Sequence, residues 1–90
     1  MDQIFVMERA LKHGLTEAQV LQAWHNHIGI VARIERSDRG VDHKTIGFSD
    51  DGRAIEITAR EKSFGFLVYH ANTPPTPRAI RELNLKRRRP

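Results

Sequence analysis

Residues 28–71 repeat one pattern four times: a short run in which apolar side chains recur at every second position, closed by residues that turn the chain. A period of two places alternate side chains on opposite faces of a strand. In the first run Ile28, Ile30, Ala32 and Ile34 alternate with Gly29, Val31, Arg33 and Glu35, and Ser37-Asp38-Arg39-Gly40 is turn material. Residues 42–49 are extended again around Ile46 and Phe48, and Asp50-Asp51-Gly52 suits the positive φ angles of a tight hairpin. Ile55, Ile57 and Ala59 then alternate with Glu56, Thr58 and Arg60, and Glu61-Lys62-Ser63 turns the chain once more. The fourth run is the most apolar: its period places Phe66, Val68 and His70 on one face and Leu67, Tyr69 and Ala71 on the other, as in a strand covered on both sides. Asn72-Thr73-Pro74-Pro75 leaves the sheet, because a proline pair cannot continue a ladder. Connections this short predict an antiparallel meander, with strands at 28–36, 42–49, 53–60 and 64–71.

The flanks read as helices. Ile4, Met7 and Leu11 fall at helical spacing, which predicts a first helix over 2–13 ended by Gly14. Thr16 with Gln19 three residues on is a capping box, and Leu15 with Val20 is the matching hydrophobic staple. The second helix so started carries Val20, Ala23, Trp24 and His27 on one face, ends near His27, and puts Trp24 in the core. Thr76 caps a last helix with Pro77 at its first position, docked through Ile80 and Leu83. The predicted fold is therefore α+β in the order α-α-β-β-β-β-α, one domain over residues 1–90 with a basic tail at 86–90.

Ninety residues give one modest core, and without a cysteine neither a disulfide nor a thiolate metal site can support it. No apolar run approaches a bilayer span, and Met1-Asp2-Gln3-Ile4-Phe5 lacks the basic and apolar regions of a secretory signal. These features set the expectation of a cytoplasmic protein with no membrane partner. The formal net charge is +4, and Lys86, Arg87, Arg88 and Arg89 account for the whole excess. Cations gathered at a terminus suit a nucleic acid, whose condensed counterions they release, and equally serve as a solubilising tail.

The chain has no Gly-rich phosphate loop and no nucleophile elbow. His25 and His27 would point to different sides of a helix, so no metal and no cofactor are expected. Lys12, His13, Arg33, Arg36, Arg60, Lys62, His70, Arg78 and Arg81 offer cations and imidazoles, whereas Glu8, Glu17, Glu35, Glu56, Glu61 and Glu82 fall mostly on solvent faces. That balance favours an anionic substrate. His70, at the end of the fourth strand before the proline exit, is the leading proton-transfer candidate, set against the plainer role of a partly buried structural histidine.

Lys12-His13-Gly14-Leu15-Thr16-Glu17-Ala18 resembles the K-H-G-(V/L)-(S/T) opening of BrnT-like bacterial toxins. The likeness continues through Ile46-Gly47, the Asp51-Gly52 turn, the strand ending Val68-Tyr69-His70-Ala71-Asn72, and the arginine helix. BrnT members themselves finish this strand in S-A-R, so Asn72 stands where their arginine would be. The resemblance implies a RelE-like fold and a ribonuclease toxin of a type II toxin–antitoxin system, cleaving RNA without a metal and silenced by a cognate antitoxin protein. It implies His70 as acid or base, with Arg78, Lys12 and His13 as phosphate clamp and charge stabilisers. Arg33, Arg60, Lys62, Arg81, Lys86, Arg87, Arg88 and Arg89 would hold the RNA. The alternative expectation is a non-catalytic RNA- or protein-binding module using the same cations.

Overall fold

A computed structural model describes residues 3–36 and 40–83, with the side chains of all of these except 28–32, 36 and 82. The fold is α+β, a five-stranded mixed sheet with two α-helices. In chain order it runs β1 (Gln3–Val6), a 3-10 helix (Glu8–Leu11), α1 (Glu17–His25), β2 (His27–Arg36), β3 (Gly40–Phe48), β4 (Ala54–Lys62), β5 (Gly65–Asn72) and α2 (Pro77–Glu82). Strands β2 to β5 form the antiparallel meander that the alternation predicts, and the sheet order is β1-β5-β4-β3-β2.

The first helix predicted at 2–13 is not formed. Residues Gln3–Val6 instead add a fifth strand, parallel to β5, in the register Gln3↔Gly65 to Val6↔Val68. Ile4 and Val6 pack against the core while Gln3 and Phe5 are exposed, which is the two-residue period of a strand. The helical spacing of Ile4, Met7 and Leu11 arises because the chain changes element between them: Met7 precedes a single 3-10 turn that buries Ala10. Gly65 makes the pairing possible. Its φ is +141°, and a Cβ there would stand 2.1 Å from the Gln3 carbonyl oxygen.

Helix α1 starts where the capping box places it. The Gln19 N–H donates to Thr16 Oγ1 (3.1 Å) and the Thr16 N–H donates to Gln19 Oε1 (2.9 Å), an arrangement worth about 1 kcal/mol. The helix is also fastened to the β3–β4 hairpin, by Gln19 Nε2 donating to Asp51 (3.2 Å) and by the Asp50 N–H donating to Gln22 Oε1 (2.8 Å). It ends at His25, so His27 begins β2 rather than sharing its face. Val20 and Ala23 bury completely over the sheet face made by Ile55, Ile57, Ala59, Val68 and Ala71. Trp24 packs against this core with its ring 5.1 Å from that of Phe66, and stays partly exposed.

The meander shifts register twice, between Ile28 and Ala32 where β2 pairs with β3 and between Thr58 and Ala59 where β4 pairs with β5, and the second shift decides where the site lies. Ala59 pairs with Val68 but Thr58 pairs with His70, so Tyr69 is an extra residue on β5, a β-bulge. The bulge reverses the facing of all that follows it. His70 therefore leaves the face of Phe66 and Val68, where its period placed it, and joins Tyr69, Thr58 and Arg60 on the face opposite α1.

Candidate active site

The face of the sheet away from α1 is built by the even-numbered residues of β3 and β4, and beside Ile46, Phe48 and Ala54 it carries Asp42 and Lys44, then Glu56, Thr58 and Arg60. The last five are polar, yet Asp42, Glu56 and Thr58 are buried. Polar groups withdrawn from water need partners, and the partners organise the site. Glu56 was expected on a solvent face. It is buried because the chain leaving β5 crosses over it: the Thr76 N–H and hydroxyl both donate to Glu56 Oε1, at 2.8 and 3.0 Å. Glu56 Oε2 accepts from His70 Nε2 at 3.1 Å. With that nitrogen protonated and fixed, the lone pair of a neutral His70 lies on Nδ1.

The bulge and the 3-10 turn together form a pocket of about 240 Å³ lined by Arg9, Lys12, His13, Lys44, Thr58, Tyr69 and His70. Strand β1 ends at Val6, so among the described residues β5 beyond Val68 has no strand neighbour on that side. The 3-10 turn packs there instead, sending Ala10 and Leu11 to the core and Arg9, Lys12 and His13 to the pocket. The rings of His13 and His70 stand edge to face with centroids 6.5 Å apart. Three cationic side chains and two imidazoles thus converge on one small volume.

Behind the pocket, Asp42 is fully buried and holds two neighbours. Arg60 Nε donates to Asp42 Oδ1 at 2.7 Å, and the Tyr69 hydroxyl donates to Oδ2 at 2.6 Å. The Arg60 guanidinium lies 4.9 Å from the Tyr69 ring centre, in cation–π range. The hydrogen bond to Asp42 raises the Arg60 pKa further. Burial, then the hydrogen bond to Asp42, pushes the Tyr69 phenol above its ordinary value. Tyr69 is a neutral, immobilised wall, and its proton is committed to Asp42.

Of the residues put forward for catalysis, the fold brings His70, His13 and Lys12 into one pocket. Arg78 is exposed on the first turn of α2, beside the buried Ala79, and does not line it. Of those put forward for RNA, Lys62 lines an adjoining pocket, together with Arg60, which is already bound to Asp42. Arg33 is exposed on β2 and pairs with Glu35 at 2.5 Å, and Arg81 is exposed on α2. Lys86, Arg87, Arg88 and Arg89 lie outside the described residues. Arg9, Lys44, Thr58, Tyr69 and Asp42 were not singled out by sequence reasoning. The polar alternation of Asp42 and Lys44 with Glu56, Thr58 and Arg60 was the signal that groups most of them.

Among the described residues, no group of three or more His, Asp, Glu or Cys side chains is placed to hold a metal ion, and no helix is long and apolar enough to cross a membrane. No family model matches this chain, nor does any curated protein or solved structure.

Proposed function

We propose that the chain is a metal-independent endoribonuclease of the RelE-like, BrnT-like kind, acting as the toxin of a type II toxin–antitoxin pair. The observation that carries this reading is the pairing of His13 with His70 in a pocket whose remaining ionisable lining is Arg9, Lys12, Lys44 and Tyr69. RNA cleavage by its own 2′-hydroxyl needs a base, an acid and positive charge around phosphorus. His70, oriented by Glu56 through Nε2, takes the 2′-hydroxyl proton at Nδ1. The 2′-oxygen bonds to the adjacent phosphorus, the bond from phosphorus to the 5′-oxygen breaks, and protonated His13 supplies the proton the leaving oxygen needs. The products are a 2′,3′-cyclic phosphate and a 5′-hydroxyl. Arg9, Lys12 and Lys44 offset the charge that gathers on the phosphoryl oxygens. Arg78 has no part in this scheme. The sequence resemblance supports the toxin assignment and supplies the expectation of an antitoxin partner.

The test is cleavage of labelled RNA by the full chain in excess chelator, both free and in a translating extract. Expected are 2′,3′-cyclic ends, a bell-shaped pH profile, and a loss of about 10²–10⁴-fold in rate for His70→Ala and for His13→Ala, each still folded. RNA left intact by the wild type in both settings overturns the proposal.

A further inference from the structure

Beside the two-histidine pocket lies a second, of about 380 Å³, lined by Met7, Arg9, Arg60, Lys62, Leu67 and Tyr69. Arg9 and Tyr69 belong to both, so the two are neighbouring compartments of one groove with a shared wall. The chemistry differs between them. The first is lined almost wholly by polar and charged groups, whereas the second sets two apolar side chains, Leu67 and Met7, against cations. From His70 to Leu67 the groove follows β5 across the bulge for roughly 7 Å, the rise of the two β4 residues from Thr58 to Arg60 that lie opposite. Its floor is rigid: Arg60 and Tyr69 are both tied to the buried Asp42, and Arg60 has spent its charge there. Lys62 is exposed at the end of β4, opposite Gly65, and carries the charge at the far end.

The geometry points to a second nucleotide subsite: the nucleotide next to the scissile phosphate lays its base against Leu67 and Met7 and its outer phosphate against Lys62, so the substrate is single-stranded RNA gripped across two successive nucleotides. A base presents a flat apolar face with a polar edge, and a phosphate follows it at one end; a compartment with apolar lining and a terminal cation matches that order. A duplex is excluded by the same arrangement, because a paired and stacked base has no free face to lay on the Leu67 side chain. Tyr69, fixed by Asp42, sets the spacing between the two compartments. The inference rests on the ribonuclease reading for the placement of the scissile phosphate, but not for the existence of the groove.

The experiment measures binding, with cleavage blocked on the substrate rather than the protein. Nucleoside monophosphates are compared with 2′-O-methyl dinucleotides bearing a terminal phosphate at either the 3′ or the 5′ end, titrated against the full chain. The wild type should bind one dinucleotide series about tenfold or more tightly than the mononucleotides, as expected for an added contact to a charged group. Lys62→Met and Leu67→Asn should each erase most of that advantage, whereas Arg53→Gln, which removes an equal charge at the β3–β4 hairpin, should keep it. Thermal melts identify any variant that fails to fold, and Lys62→Met, altering an exposed side chain, carries the test if Leu67→Asn does. A wild type that binds dinucleotides no better than mononucleotides overturns the subsite, as does an advantage that survives Lys62→Met. A dinucleotide advantage without cleavage of unblocked RNA keeps the groove and removes the ribonuclease reading, so the two failures are distinct.

Discussion

Tyr69 is the chain's single tyrosine, so its ionisation can be followed by absorbance without interference from another phenol. Burial raises its pKa first and the hydrogen bond to Asp42 adds to that, while Arg60 opposes both. A group whose pKa is raised by folding contributes stability that is complete below the unfolded value and is lost as pH climbs through the folded one. The protein should therefore lose stability to urea as pH climbs above about 10, and tyrosinate should appear above that ordinary midpoint. In Asp42→Asn the midpoint should fall, since the acceptor's charge is gone while the Arg60 cation remains beside the ring. A midpoint unmoved by that substitution would show that Asp42 does not hold the phenol, and the rigid wall of the groove would lose its basis.

At the scale of elements, two glycines act through the space they leave rather than through any side chain. A Cβ on Gly47 would stand 1.8 Å from the Ala23 carbonyl oxygen and 2.7 Å from its carbon, in the backbone of α1. That atom has no flexible end to yield, so Gly47→Ala must lift the helix from β3 and should cost at least the ~1–3 kcal/mol usual for overpacking. Gly65→Ala meets both the Gln3 backbone and an unfavourable φ, and should release β1 alone. Hydrogen exchange separates them: Gly65→Ala strips protection from the amides of Gln3 and Met7, which bond the carbonyls of Phe64 and Val68, and leaves β3 and β4 protected. Global loss of protection in that variant would mean β1 is integral to the core rather than an added edge. The same elements show what the sequence could disclose. The meander and the α1 cap were legible because alternation, hairpin turns and capping boxes are local signals. Strand β1 was not, since its partner lies some sixty residues away and the apolar spacing on either side of Met7 imitates a helix. His70 stood out as a candidate from its place at the strand end, but its face was not legible, because the bulge at Tyr69 is set by pairing with β4 and leaves no mark on the periodicity.

Over the whole molecule the charge is divided in a way that net charge conceals. Residues 1–85 are formally neutral, yet Arg9, Lys12, Lys44 and Lys62 gather along one groove, while Lys86, Arg87, Arg88 and Arg89 supply the entire excess. A focused groove and a basic terminus would attract an RNA differently. In the proposed reading the groove acts on the few phosphates it encloses, whereas the terminus would add counterion release that does not depend on the reacting nucleotide. Replacing all four terminal cations by Gln in the full chain isolates the second contribution. If the terminus contacts RNA, the slope of log affinity against log salt for a long single strand should flatten by about 3, at about 0.7 per phosphate neutralised. KM should rise at moderate salt while kcat under saturating RNA stays near wild type, because none of these cations is needed at phosphorus in the proposed scheme. A slope left unchanged would place all the binding charge in the groove and leave the terminus a solubilising role. A fall in kcat with KM constant would instead put one of these cations at the reacting phosphate, alongside Arg9, Lys12 and Lys44.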